Sequence, residues 1–159
     1  MRNKQIRRLT LGGVLAALIL LLTYAVKFPL STVGYVHAGD GAIFFAAALL
    51  GPYTALAAGV GSALADLLGG WFIFVVPTFV IKALMGGIAG MLAKKNHALR
   101  NAFVFSLGAC VMVLGYYIFE GFYYGWAEAL VEVGPNLLQG AAGVVIGSAL
   151  SALKIRMPQ

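Results

Sequence analysis

Five polar residues interrupt otherwise apolar stretches of this 159-residue chain: Asp66, Lys82, Glu120, Asn136 and Gln139. Ionisable or amide side chains inside a membrane span are costly, usually face the protein interior, and mark a functional site by default. Together they offer two carboxylates for ring or amino N–H groups. They also offer an ammonium and two amides for hydroxyl or ring-nitrogen acceptors. Asp66 and Lys82 can pair with one another, either as a structural clamp or as part of a ligand site. Glu120 has a second reading, in interfacial water. Tyr116, Glu120 and Tyr124 recur at a spacing of four and share one helix face, so with Trp71 they suit the wall of a pocket for a flat ring. The competing reading is an interfacial aromatic belt, which is favoured for Phe122, Tyr123 and Trp126. His37 and Asp40 follow Gly34 in a loop and either close over a pocket or serve as ordinary loop polar groups. Cys110, in mid-span, reads as a buried apolar filler.

The chemistry of soluble enzymes has little material here. No phosphate loop, dinucleotide fingerprint, paired-histidine zinc motif or nucleophile elbow occurs. With two histidines, His37 and His97, and one cysteine, neither a metal centre nor a Cys-His catalyst is expected, and no cofactor is called for. The chain has no means of hydrolysing ATP by itself.

The elements that must position the polar residues follow from composition. Apolar residues make up 62% and charged residues 10%, with mean hydropathy +0.95. Soluble domains have roughly 45–50% and about 25%, so too little polar surface exists to keep a globule of this size in solution. Disorder and a disulfide scaffold are excluded as well. The net charge of +6 is not a nucleic-acid footprint, because the basic residues do not form one patch. Arg2, Lys4, Arg7 and Arg8 precede the first apolar run, Lys94, Lys95 and Arg100 share one connection, and Lys154 and Arg156 follow the last run. That distribution belongs to membrane topology.

Spans are expected at about 9–26, 41–51, 53–69, 77–93, 101–121 and 135–153, since a crossing helix needs roughly 17–25 mostly apolar residues. The second stretch is short and ends at Gly51-Pro52, so it reads as a short, tilted or re-entrant helix. The first run is too long for a signal core and lacks a good cleavage site, which keeps it as a span. With six spans, both termini, the Gly51-Pro52 turn and the 94–100 connection share one face, which the lysines and arginines mark as cytoplasmic. The expected fold is an all-α membrane protein of six transmembrane helices with both termini cytoplasmic.

Small residues share the polar faces: Ala55, Gly59, Ser62 and Ala63 with Asp66, Thr78, Gly86 and Gly90 with Lys82, and Gly140, Gly143 and Gly147 with Asn136 and Gln139. Such faces let helices approach closely, so the polar groups should point inward. All five lie in the outer half of the bilayer. A channel needs polar groups through the whole thickness, so a closed pocket open to the outside fits better. A stand-alone channel or facilitator and a ligand-free membrane adaptor are the alternatives.

The segment Gly34-Tyr35-Val36-His37-Ala38-Gly39-Asp40 leads into a short helix ending at Leu50-Gly51-Pro52. Gly59-Val60-Gly61-Ser62-Ala63-Leu64-Ala65-Asp66-Leu67-Leu68-Gly69-Gly70 follows, then Pro77-Thr78 and Ile81-Lys82-Ala83-Leu84-Met85-Gly86-Gly87. This pattern resembles the substrate-binding S components of energy-coupling factor (ECF) vitamin transporters, in the subgroup linked with hydroxymethylpyrimidine, pyridoxine and related heterocycles. The likeness is good over roughly residues 9–93 and rests beyond that on length and hydropathy. It implies an S-component bundle of six helices, with a vitamin site near the outer face capped by the loop after the first helix. It also implies docking on a membrane coupling subunit, where Gly12-Ala16 and Gly13-Ala17 match the four-residue spacing of small residues. Two cytoplasmic ATPase subunits would complete the importer.

Overall fold

The computed structural model describes residues 2–29 and 35–153; Gly34, Lys154 and Arg156 lie outside them. The described residues form six α-helices: α1 Arg2–Ala25, α2 Gly39–Leu50, α3 Thr54–Gly69, α4 Val75–Leu92, α5 Ala98–Tyr123 and α6 Trp126–Ser151. The all-α expectation needs one amendment. A small antiparallel hairpin, β1 Lys27–Pro29 and β2 Tyr35–His37, joins α1 to α2 with Lys27 opposite His37. It is tied to the next helix by the Ala38 N–H, which donates to the Val26 carbonyl at 3.2 Å.

The short helix α2 is the centre of the bundle. Ten of its twelve residues are buried, and it packs against α1, α3, α4 and α6. Its sequence is apolar all round, as a fully enclosed helix should be. Phe44 stacks on Phe105 of α5 at 4.7 Å between ring centres. On α6, Gly143 and Gly147 face Asp40 and Phe44; a Cβ on Gly143 would stand 2.8 Å from the Asp40 Cβ, too close for any larger residue. The helix ends at Gly51, whose φ of 62° favours glycine, and Pro52 then opens a 3₁₀ turn, Gly51–Tyr53. The chain reverses there and returns along α3. Gly90 of α4 lies directly against the Gly51 carbonyl.

Five stretches are long and apolar enough to cross a membrane, with Gly39–Gly69 counted as one of 31 residues. At 1.5 Å per residue α2 alone reaches about 18 Å, short of a hydrocarbon core of roughly 30 Å. Its neighbours rather than lipid surround it. Leu107, Leu114, Ile118, Val131 and Val145 point outward on α5 and α6, while Asn101, Glu120, Glu132 and Gln139 point in. Cys110 departs from expectation: it is exposed on the lipid-facing side of α5, where a thiol serves as a small apolar group.

The two ends of the bundle differ. At one end the Arg8 guanidinium lies over the Tyr53 ring at 5.4 Å, which places the start of α1 beside the Gly51–Tyr53 turn. Asn101 donates to the Lys94 carbonyl at 2.7 Å and to Ser151 Oγ at 2.9 Å, holding the 94–100 connection to the end of α6. The hairpin, the α3–α4 connection and the α5–α6 turn lie at the other end.

Candidate functional site

At that second end a pocket opens between all the long helices. Asp66 reaches it from the last turn of α3. Gly70 closes that helix in the left-handed conformation (φ 80°), and the Trp71 N–H then donates to the Asp66 carbonyl at 2.9 Å, bringing Trp71 to the rim. Tyr116 and Glu120, one turn apart on α5, form another wall, and the Tyr116 hydroxyl is fixed by Thr78 of α4 at 3.0 Å. Asn136 and Gln139 of α6 complete it, with His37 of β2 above. The cavity has a volume of ≈ 60 Å³. A single water needs roughly 10–15 Å³ on that measure, so the room suits one small ring rather than several.

Beneath the pocket lies a fully buried ion pair. Lys82 Nζ is 2.5 Å from Asp40 Oδ1, and neither side chain has measurable exposure. The ammonium also contacts Met112 Sδ at 2.9 Å and lies 5.6 Å from the centre of the Tyr116 ring. Gln139 connects the pair to the hairpin. Its Nε2 donates to Asp40 Oδ2 at 2.9 Å, and its Oε1 accepts the His37 backbone N–H at 3.1 Å. His37 Nδ1 in turn accepts the Gly39 N–H at 3.1 Å, so the neutral ring carries its proton on Nε2. Burial, assisted by the Lys82 charge and opposed by Asp40, lowers the His37 pKa to about 4.

Seven of the ten residues singled out for binding therefore line one pocket: His37, Asp66, Trp71, Tyr116, Glu120, Asn136 and Gln139. Three do not. The Asp66–Lys82 pair is corrected, because α2 stands at the centre of the bundle and puts Asp40 against Lys82 first. Asp40 is consequently no loop group but the first turn of a buried helix. Tyr124 packs behind the wall on Phe74, with ring centres 6.2 Å apart.

Sequence reasoning missed Thr23, Phe74, Thr78 and Glu132, which also line the pocket, together with Pro135. The expected last span, 135–153, leaves Glu132 outside it. Instead α6 begins nine residues earlier, at Trp126, and carries Pro135 inside it. The aromatic residues Phe122 and Trp126 are exposed at this end, as an interfacial belt requires.

A multi-pass helical protein with a polar pocket at one end, walled by aromatic rings and floored by a sealed ion pair, is built to hold a small solute within the membrane. The chain belongs to the family described as ECF-type riboflavin transporter, S component, whose profile it matches over residues 3–155. It is 37% identical over 133 residues to an uncharacterized protein of Pyrococcus woesei, covering 80% of this chain and 88% of that protein. It is 31% identical over 156 residues to the thiamine precursor transporter HmpT of Lactococcus lactis subsp. cremoris, covering 96% of this chain and 90% of that one. The chain is thus a membrane transport protein, the S component of an ECF-type vitamin uptake system.

Two predictions follow from the floor and the hairpin. Changing Lys82 to Ala leaves a buried carboxylate uncompensated and should cost about 3–5 kcal/mol, while Asp40→Asn with Lys82→Met should recover much of it. Thermal unfolding in detergent measures both; a double variant no better than Lys82→Ala refutes the pairing. For His37, the folded-state pKa of about 4 lies below the ordinary 6.5, so its contribution is present above pH 6.5 and is lost as pH falls through 4. Between pH 7 and 5 the wild type should lose roughly 2–4 °C more in Tm than His37→Gln. Equal losses would exclude this role for the histidine.

Proposed function

We propose that the pocket binds a small B-vitamin precursor with high affinity for import, hydroxymethylpyrimidine or pyridoxine being the best candidates. The observation that carries the reading is Glu120: it is 6% exposed, it lines the pocket, and its Oε2 has no hydrogen-bond partner. A buried carboxylate oxygen left in this state is expected to receive a donor from a ligand. The likeness to the thiamine precursor transporter supports a precursor. The volume also supports a single ring over the three-ring flavin in the family's description.

In this reading the chain passes between the two faces six times, the hairpin and α2 together making the second passage inside the protein, with the Arg8–Tyr53 end and both termini cytoplasmic. The pocket then faces outward, as an importer requires. A membrane coupling subunit and two cytoplasmic ATPases supply the energy. Gly12, Gly13, Ala16 and Ala17 are the docking residues. Gly12, Gly13 and Ala16 line a wide groove between α1 and α3, and Ala17 faces outward beside it. Among the described residues the buried charges all lie in the half of the spans nearer the pocket, which speaks against a free-standing channel.

Asp66→Ala or Glu120→Ala should weaken hydroxymethylpyrimidine binding to the purified chain at least about tenfold. Isothermal titration decides it, and undiminished affinity in both variants would remove this pocket as the site. Docking is separable from binding. Replacing Gly13 and Ala17 by Leu should abolish co-purification with the coupling subunit while the vitamin affinity stays unchanged. Intact assembly would place the interface elsewhere.

A further inference from the structure

A hydroxyl carried into an enclosed pocket is costly unless the pocket offers it a hydrogen bond. Two of the three side chains that the sequence offered to a cargo hydroxyl are already engaged. Lys82 is sealed against Asp40 and does not line the cavity. Gln139 does line it, but its Nε2 donates to Asp40 and its Oε1 accepts the His37 N–H. Asn136, the third, is half-buried. The Thr78 hydroxyl is bonded to that of Tyr116.

Thr23, near the end of α1, remains. It is 1% exposed and lines the cavity, and its Oγ1 has no hydrogen-bond partner among the described residues. A threonine inside a helix can bond back to the carbonyl one turn earlier, and Thr23 does not. Buried polar atoms in folded proteins are paired in the great majority of cases, so this hydroxyl stands ready for a group the cavity receives. Gly39 marks how tight the corner is: a Cβ there would collide with Thr23 Oγ1 and stand 3.0 Å from His37 Nδ1. A slender arm suits such a corner better than a ring edge. Trp71, Phe74 and Tyr116 line the cavity in a continuous run, with ring centres 6.2 and 6.4 Å apart, and Glu120 stands one turn beyond Tyr116. The helix α1 packs on α2, α3 and the hairpin, whereas α5 packs on α4 and α6, so Thr23 and Glu120 reach the cavity from different sides.

We infer that Thr23 is a specificity-determining residue that reads a hydroxymethyl arm on the cargo, an assignment that rests on the binding-subunit reading above. The flat ring lies among Trp71, Phe74 and Tyr116 with a donor toward Glu120, and the arm extends to Thr23. The threonine hydroxyl both donates and accepts, so it matches an alcohol in either sense. Hydroxymethylpyrimidine and pyridoxine each carry such an arm, and Thr23 therefore admits both. A ring that ends in a methyl group at the same place is rejected, because it leaves the buried Thr23 hydroxyl unpaired.

The test compares two probes by isothermal titration: hydroxymethylpyrimidine and the same aminopyrimidine with a methyl group in place of the hydroxymethyl arm. The wild type should bind the alcohol roughly 10–100-fold more tightly than the methyl analogue. In Thr23→Val, which preserves shape, the alcohol should weaken until the two probes bind within about threefold of one another. Thr23→Ser keeps the hydroxyl and should keep the gap. Equal binding of the two probes by the wild type overturns the inference while leaving the binding-subunit reading intact, and needs no variant to fold. A gap that survives Thr23→Val also overturns it, as does a gap lost equally in the serine variant. Failure of the wild type to bind either probe removes both readings.

Discussion

The arrangement depends on the buried contact between Asp40 and Lys82. An ammonium and a carboxylate removed from water are tolerated only when they compensate one another and their remaining hydrogen-bonding capacity is met. Gln139, Met112 and the Tyr116 ring meet it here. The consequence is mechanical. The pair joins α2 to α4, Gln139 brings in α6, and the same amide holds the hairpin through the His37 backbone. One network thus sets the floor of the pocket and anchors the segment above it. Because the Gln139 Nε2 must face Asp40, its oxygen must face the hairpin, and the amide has a single useful orientation.

Above that floor the logic inverts. The lower pair is neutral overall and sealed, whereas the pocket above keeps Glu120 Oε2 without a hydrogen bond.

Much of this was legible in the sequence. Polar residues are so few in an apolar chain that nearly every one had to face inward, and the small residues beside them marked the close-packed faces. Gly143, Gly147 and Gly90 are found against other backbones or core side chains as that pattern implied. What was not legible has one main cause. Periodicity says which face of a helix is buried but not which other helix it meets. The sequence offered Asp66 as the partner of Lys82 and put Asp40 in a loop, and only the central position of α2 brings Asp40 to Lys82 instead. Pro135 misled for a related reason. A proline inside a helix is costly, so a start was the natural reading, yet the helix runs through it and carries Glu132 to the pocket.

By itself the sequence determined the environment, the helical class, the family likeness and the short list of polar side chains available for a site, because hydropathy and helical spacing act locally along the chain. The tertiary structure alone decided the pairing of Asp40 with Lys82, the hairpin over the pocket, the entry of Thr23 and Glu132 into its wall, and the outward position of Cys110. These are contacts between residues far apart in the chain, up to 102 positions for His37 and Gln139. No local pattern encodes them; they arise when six helices share one small volume and the buried charges must find their counterparts within it.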